Sequence, residues 1–304
     1  DIYTAEDYCN NALFLFKKAG SYFAAGTTNL NLGEFFARQG KLEEALFLYN
    51  AAIKSLEKSK GVPPYQLDQS YINIYNGIAS AATKLRSHEE AYIAIQKNLE
   101  IHKREADKKD ETFSVCGLYY RSIGDYDKSL RYYKEALEIR KETYGKEHPL
   151  IAKVYFNLGQ TEQKKNNSGA AQGYYDLAKE AISVPSKKGL MPFLMNKDSA
   201  DGIPDKAILL KILDAEARLL QEKDALELAN DKTGAAVLLL EKIRNNFKEE
   251  GSKLFMVQTM IPTYELSIGV SLDLYQRTKK RSYLEDAFQL VEKSKAMLLL
   301  DALK

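Results

Sequence analysis

Apolar residues recur three and four positions apart along almost the whole chain, and the positions between them are rich in leucine, alanine, glutamate and lysine. This spacing places the apolar side chains on one face of an α-helix, and the intervening residues are strong helix formers. The strict alternation typical of β-strands does not occur. The pattern predicts an all-α protein.

Small and aromatic residues recur within this pattern at fixed offsets. The spacing is clearest at Gly117, Gly124, Ser129, Tyr133 and Ala136. It recurs at Gly33, Gly40, Ala45, Tyr49 and Ala52; more loosely at Ala79, Arg86, Ala91, Ile95 and Asn98; and again at Gly159, Asn166, Ala171, Tyr175 and Ala178. Small residues at matching points of two helices let their axes approach closely. We therefore expect stacked helical hairpins in which Gly33, Gly117 and Gly159 face a neighbouring helix.

The segment from Glu135 to Pro149 carries the most specific signal, because an apolar helix runs into Gly145 and then into a proline that opens the next helix. With the recurring register, it resembles the long form of the tetratricopeptide repeat over residues 26–182. The resemblance implies a right-handed superhelical α-solenoid of antiparallel helix hairpins with an extended concave surface. The sequence departs from the family by lacking tryptophan and by placing Arg86, Asn98 and Ser129 where smaller or apolar residues are preferred.

The register divides the chain into three parts. We expect a repeat array over 1–182, with a partial first repeat at 1–19 and full repeats at about 26–60, 72–106, 110–145 and 152–182. Prolines and glycines then interrupt the periodicity and predict a loop over 183–204, whose apolar residues should pack on the flank of the solenoid or in its groove. Further hairpins should occupy 205–304, with helices at about 205–229, 232–249, 252–278 and 282–303, the third of them kinked or split at Pro262.

The last hundred residues carry a second resemblance. The strings Tyr264-Glu265-Leu266, Tyr283 to Phe288, and Glu292 to Ala296 with the following leucines are similar to the helical segment ahead of the protease domain in CHAT proteins, which are bacterial caspase-like cysteine peptidases. The resemblance implies that this chain is the partner-sensing or regulatory region of such a peptidase, with the downstream domain of the same chain as one partner. The apolar end at 296–303 also fits a self-assembly surface.

Composition narrows the classes of partner. The net charge is +2, from 44 basic and 42 acidic residues, which gives no reason to expect a nucleic-acid partner. No apolar run is long enough to span a membrane. The two cysteines, Cys9 and Cys116, provide no disulfide framework, so a cytoplasmic location is favoured. An exported form with its leader removed stays open, since the chain begins with aspartate.

The cysteines, histidines and glycines of the sequence favour a non-catalytic protein. Cys116 directly precedes Gly117 on an apolar helix face, where a buried thiol packs as a hydrophobic group, so a thiol-dependent enzyme is the weaker alternative. His88, His102 and His148 lack metal-ligand spacing, and no glycine-rich phosphate loop is present. We expect no catalytic residue, no metal and no cofactor.

Binding of a protein or peptide in the groove is the best remaining function. If the first helix of each repeat lines the concave wall, the residues opposite the packing glycines project into the groove. The predicted groove residues are Asn31, Arg38, Asn73, Asn76, Ser80, Lys84, Arg121, Lys153, Phe156, Asn157, Gln160 and Lys164. Their mixture of amides, lysines and arginines suits an extended peptide or an acidic segment.

Overall fold

The computed structural model describes residues 2–104, 109–184, 190–196, 201–245 and 251–302, and within these ranges the chain forms helices and no strand. Fourteen helices are described there: α1 (Ile2–Lys18), α2 (Tyr22–Arg38), α3 (Leu42–Leu56), α4 (Pro64–Lys84), α5 (His88–Arg104), α6 (Lys109–Ser122), α7 (Tyr126–Tyr144), α8 (Pro149–Lys164), α9 (Ser168–Glu180), α10 (Leu190–Met195), α11 (Lys206–Glu222), α12 (Leu226–Asn245), α13 (Gly251–Thr278) and α14 (Arg281–Ala302). The prediction of an all-α fold is confirmed.

The helices belong to two compact units, residues 1–142 and 143–304. In the first unit, α2 packs on α3 and α4 packs on α5, while α6 meets α7 through Gly117 and Tyr133. In the second unit the pairs are α8 with α9, α11 with α12, and α13 with α14. Short turns join the two helices of each pair, so the pairs are antiparallel hairpins.

Glycine against tyrosine is the recurring contact inside the hairpins. A methyl group placed on Gly33 would lie 2.8 Å from the Tyr49 ring, and one on Gly117 would lie 2.8 Å from Tyr133. In the second unit, a methyl group on Gly159 would lie 2.5 Å from Tyr175. These distances are shorter than van der Waals contact, so a larger residue would push the helices apart. The prediction that the three glycines face a neighbouring helix is confirmed.

Two departures from the repeat pattern become hydrogen-bonding groups of the interior. Ser129 is fully buried, and its hydroxyl donates to the Gly117 carbonyl at 2.8 Å. Asn98 is 1% exposed, and its Nδ2 donates to the Ile72 carbonyl at 3.1 Å. Both polar side chains therefore join the two helices of their hairpin, because a buried donor must find an acceptor.

A left-handed residue closes the turn between the helices of each hairpin. Gly124 has φ of 83°, and Arg86, Asn166 and Asp224 adopt φ of 62°, 61° and 61° at the matching place. The next amide donates back to the end of the first helix, as Ala225 does to Leu220 at 2.9 Å. The helix expected over 205–229 is consequently wrong. It ends at Glu222 because Asp224 takes this turn conformation, which is less common for a residue with a Cβ atom.

The segment over 183–204 contains a short helix that the sequence pattern did not predict. This helix, α10, contacts α12, and Leu194 on it is fully buried. The expectation that apolar residues of this segment pack against the protein is confirmed for Leu194, whereas Met195 stays 66% exposed. Residues 185–189 and 197–200 of this segment lie outside the described residues.

The sequence pattern predicts a kinked or split helix at Pro262. The split does not occur, since α13 runs from Gly251 to Thr278 with the proline inside it, and the kink stays a prediction. The side chains of the leucine run at 296–303 lie outside those described. On the described part of α14, Phe288 is 66% exposed and Leu284 is 40% exposed.

Candidate functional site

A cleft of about 480 Å³ opens among the first helices of the hairpins in the first unit. Helix α4 forms its centre and contacts both α2 and α6. The cleft is lined by Glu34, Ala37, Arg38, Leu42, Tyr49, Asn73, Asn76, Gly77, Ser80, Ala81, Lys84 and Glu111. The lining is partly polar and comes from α2, α4 and α6, with Leu42 and Tyr49 of α3. Such a cleft is large enough to hold a segment of polypeptide.

Five of the predicted groove residues line this cleft: Arg38, Asn73, Asn76, Ser80 and Lys84. Four of them lie on α4, at spacings of three and four residues that put them on one helix face. Their common face is the one left open when Ile74, Ile78 and Ala82 pack into the core.

Two predicted residues of the first unit lie elsewhere. Asn31 is exposed on α2 but does not line the cleft. Arg121 is half-buried on α6, with its guanidinium 5.7 Å from the centre of the Tyr133 ring. The Arg121 side chain therefore covers the aromatic contact of its own hairpin.

The other five predicted residues lie on α8 in the second unit. Lys153 and Lys164 are exposed, and Asn157 and Gln160 are partly buried. Phe156 is only 8% exposed, and its ring centre lies 6.0 Å from that of Tyr175. Phe156 is therefore a core residue of the α8–α9 hairpin, because an apolar ring at this register position is better buried against the tyrosine.

Seven lining residues of the cleft were not predicted as groove residues from the sequence: Glu34, Ala37, Leu42, Tyr49, Gly77, Ala81 and Glu111. Tyr49 and Gly77 form part of its lining where the tyrosine ring packs between Gly33 and Gly77, and burial raises the pKa of Tyr49 to about 12. Glu34 lies one turn before Arg38, and Glu111 stands at the same distance before its hairpin turn as Asn73 does. That register was a usable signal for Glu111, whereas Tyr49 was assigned from the sequence to the packing register and not to the cleft.

A pair of amides lies behind the cleft wall. Asn98 Nδ2 donates to Asn76 Oδ1 at 2.7 Å and also to the Ile72 carbonyl at 3.1 Å. A main-chain carbonyl can only accept, so the Asn98 atom that faces it must be the amino group. The Asn76 atom that meets the same amino group must then be its oxygen. The Nδ2 group of Asn76 is left directed away from Asn98.

Three of the four charged side chains on the cleft wall form ion pairs. Arg38 lies 3.7 Å from Glu34, and Arg140 donates to Glu111 at 2.7 Å. For Lys84, no ion pair or hydrogen bond occurs within the part of the chain that the structure describes. The cleft wall removes water from the Lys84 ammonium and lowers its pKa, although the side chain as a whole counts as exposed.

Arg140 anchors one rim of the cleft from the second helix of its hairpin. Its side chain is 4% exposed, and it donates to Asp110 at 2.8 Å as well as to Glu111. A planar guanidinium that binds two carboxylates holds them in fixed positions. The position of Glu111 at the cleft is therefore set by a residue that the sequence pattern had not singled out.

A second polar cluster is buried inside the second unit. Lys179 on α9 and Glu216 on α11 are both fully buried, with Nζ 2.6 Å from Oε1. Asp176 also accepts from Lys179, and Lys232 and Gln172 also donate to Glu216. Burial lowers the pKa of Lys179, but Glu216 and Asp176 outweigh it, and the pKa is raised overall. The cluster joins two neighbouring hairpins.

The thiol considered as a nucleophile is unsuited to that role. Cys116 is fully buried, and burial raises the pKa of its thiol to about 12. Since the thiolate is the reactive form, this environment suppresses nucleophilic chemistry. Where side chains are described, no cluster of histidine, cysteine and carboxylate is arranged to bind a metal. None of the described helices combines the length and apolar character needed to cross a bilayer.

Comparison with known proteins gives a family match over part of the chain. Residues 116–181 match the family model described as tetratricopeptide repeat. A search of curated proteins finds no significant match.

Solved structures share the fold over most of the chain. BtubC (BKLC) from P. vanneervenii matches with a TM-score of 0.58 and 16% identity, covering 80% of this chain and 92% of that one. The apo form of the quorum sensor NprR from B. thuringiensis matches with a TM-score of 0.56 and 12% identity, covering 99% and 80%. A Rap protein complexed with Competence and Sporulation Factor matches with a TM-score of 0.52 and 13% identity, covering 92% and 76%.

These structural matches concern the fold, whereas the family match identifies the repeat type. The glycine and tyrosine register continues from residue 33 to residue 175 with the same contacts on both sides of the start of the family match. Residues 116–181 therefore match the tetratricopeptide repeat, and the chain as a whole shares the helical-repeat fold of the solved structures.

Proposed function

We propose that this chain is a non-catalytic protein-interaction scaffold that binds a peptide or protein segment in the cleft among α2, α4 and α6. The observation that carries the proposal is the lining itself. Amide, hydroxyl and ammonium groups of α4 share one face, and α2 and α6 enclose them. Polypeptide backbones offer donors and acceptors to such groups, and their extended form fits between helices.

The structural matches support the same kind of function. One match is a Rap protein in complex with Competence and Sporulation Factor, and another is NprR in complex with its cognate peptide NprX. Helical-repeat arrays in general present elongated surfaces to other proteins.

A peptide selection tests the proposal. Random 12-residue peptides displayed on phage are selected on the purified chain, and enriched sequences are synthesised with a fluorescent label for polarisation measurements. Ser80→Trp fills the cleft from its central helix, and we expect at least about tenfold weaker binding. Lys134→Trp adds the same ring at an exposed position on α7 and should leave binding unchanged.

Circular dichroism of both variants shows whether they remain folded. If no peptide is enriched, or if enriched peptides bind Ser80→Trp as tightly as the unsubstituted chain, the cleft is not the binding site and the proposal fails.

The similarity of the last hundred residues to the segment ahead of a CHAT peptidase extends the proposal. In this version the bound partner regulates a peptidase domain of the same polypeptide. The sequence following Lys304 tests it, because a CHAT-type domain requires a histidine and cysteine pair downstream. Absence of such a pair would remove the peptidase part and leave the scaffold function as it stands.

A further inference from the structure

The charges that line the cleft determine what kind of peptide it takes, and this inference rests on the proposed function. Four charged side chains line the cleft, and three of them have partners within the protein. Glu34 pairs with Arg38, and Glu111 pairs with the buried Arg140. Arg140 is shared between Glu111 and Asp110, so one negative charge remains at Glu111. Lys84, in contrast, has no carboxylate partner among the described residues and presents a positive charge at its own end of the cleft.

The surroundings of Lys84 make this charge effective. Lys84 lies in the last turn of α4, next to Ser80 and Ala81 in the cleft wall. The wall displaces water from its ammonium, which lowers the pKa of Lys84. A partly desolvated cation gains more from an anionic partner than a fully hydrated one does.

The Asn76 amide is an oriented donor in the same cleft. Its oxygen is taken by Asn98, and within the described residues its Nδ2 group has no acceptor. Asn76 is only 8% exposed, so its amino group opens into the cleft and not into bulk water. A fixed donor at this depth suits a carbonyl oxygen.

The spacing of the two groups on α4 sets the register of a ligand. Asn76 and Lys84 are separated by about two helical turns, or about 12 Å along the axis at about 1.5 Å per residue. An extended peptide advances about 3.3 Å per residue, so roughly three or four residues span that distance.

We propose that the cleft takes an extended acidic peptide, with a carboxylate on Lys84 and a main-chain carbonyl, roughly three or four residues away, accepting from Asn76. A phosphorylated peptide fits less well, because a phosphate carries nearly two negative charges and only one uncompensated cation is present. The carboxylate can come from an aspartate or glutamate side chain or from the peptide C-terminus.

The peptides selected on the purified chain test this proposal. We expect them to share an acidic residue, or to bind only with a free C-terminal carboxylate. Replacing that carboxylate by an amide, in the side chain or at the C-terminus, should weaken binding to the unsubstituted chain about fivefold to tenfold. The two replacements distinguish the two sources of the carboxylate.

Substitutions in the protein assign the contact to Lys84. With Lys84→Gln, the acidic and amidated peptides should bind within about twofold of each other, and Lys84→Glu should reduce binding of the acidic peptide further. Lys134→Gln on α7 removes the same charge at an exposed site and should preserve the preference for the acid. A phosphoserine peptide should bind no more tightly than the aspartate version.

The outcomes separate this inference from the proposed function. Peptides that are lost in Ser80→Trp, yet bind Lys84→Gln and Lys84→Glu as tightly as the unsubstituted chain, would overturn the acidic-peptide inference and leave cleft binding intact. Preference for phosphoserine over aspartate would overturn it as well. Peptides indifferent to Ser80→Trp would contradict the proposed function itself.

Discussion

The two units join neighbouring hairpins by different chemistry. In the first unit Tyr49 reaches two helices at once, lying 2.8 Å from a methyl group placed on Gly33 and 2.5 Å from one placed on Gly77. In the second unit, α9 and α11 share the fully buried ion pair of Lys179 and Glu216. Apolar contact is tolerant of small shifts, whereas a buried ion pair is favourable only with its partners in place. The second junction is therefore the more specific and the more fragile.

This difference affects which polar groups are available to a ligand. Inside the second unit the charged side chains form ion pairs with one another: Lys179 with Glu216 and Asp176, and Lys232 with Glu216. In the first unit the contact of Tyr49 with Gly33 and Gly77 is apolar and uses no charged group. The Lys84 ammonium and the Asn76 amide in the same cleft lining therefore remain available to a ligand. A polar group can serve binding only where the fold does not already use it.

The largest expected effect is the loss of the buried ion pair. Glu216→Ala removes a carboxylate that accepts from Lys179, Lys232 and Gln172, and leaves Lys179 charged in the interior. We expect the free energy of unfolding to fall by about 3 to 5 kcal/mol, measured by urea denaturation followed by circular dichroism.

Two further variants serve as controls for Glu216→Ala. Glu227→Ala removes an exposed carboxylate on α12 and should change stability by less than about 0.5 kcal/mol. Replacing both partners, with Lys179→Met and Glu216→Leu together, should recover most of the loss. If Glu216→Ala is as stable as Glu227→Ala, the second unit does not depend on the ion pair of Lys179 and Glu216.

The next largest expected effect on stability comes from replacing a buried alanine of the repeat pattern by leucine. We expect a similar loss in both units. Ala136 on α7 and Ala178 on α9 occupy the same repeat position and are fully buried. Ala136→Leu and Ala178→Leu should each lower the free energy of unfolding by about 1 to 3 kcal/mol. Lys134→Leu, exposed on α7, is the control. Unchanged thermal unfolding at either alanine would mean that its helix interface is misplaced.

The sequence predicted the hairpins and about half of the cleft because these follow from register. Gly117 facing Tyr133, and Ser80 and Lys84 on one face of α4, follow from small residues and helical periodicity alone. The ion pair of Lys179 and Glu216 could not be predicted, because a buried charge looks like a surface charge until its partner from a distant helix is placed beside it. Long-range pairing is not encoded in local spacing.

A pH dependence is expected from the second unit. Burial raises the pKa of Asp214 to about 6, despite the Thr263 hydroxyl that donates to it at 2.6 Å and the nearby Arg218, which both favour the ionised form. Between pH of about 4 and 6 the folded chain then binds more protons than the unfolded chain, so stability falls as pH rises through this window. Asp214→Asn should remove that slope and add about 1 to 2 kcal/mol at pH 7.

Urea denaturation at several pH values measures this effect. Asp231→Asn changes the net charge equally at an exposed site on α12 and serves as the control. A slope of the same size in Asp214→Asn would assign the pH dependence to another group.

The smallest expected effect concerns the amide pair of the first unit. Asn98 occupies the repeat position that is alanine at Ala52, Ala136 and Ala178, so Asn98→Ala should fold, with a loss of about 1 kcal/mol from the missing hydrogen bonds. Without Asn98, the Asn76 amide is free to turn its oxygen toward the cleft, and affinity for the selected peptides should fall about threefold to fivefold, close to the contribution of one hydrogen bond.

A double-mutant cycle separates this positioning role from a structural one. In the Asn76→Ala background, Asn98→Ala should no longer change peptide affinity, because the donor that it orients is gone. If Asn98→Ala weakens binding equally in both backgrounds, it acts through the packing of the α4–α5 hairpin. The first unit would then, like the second, use its buried polar groups only to hold helices together.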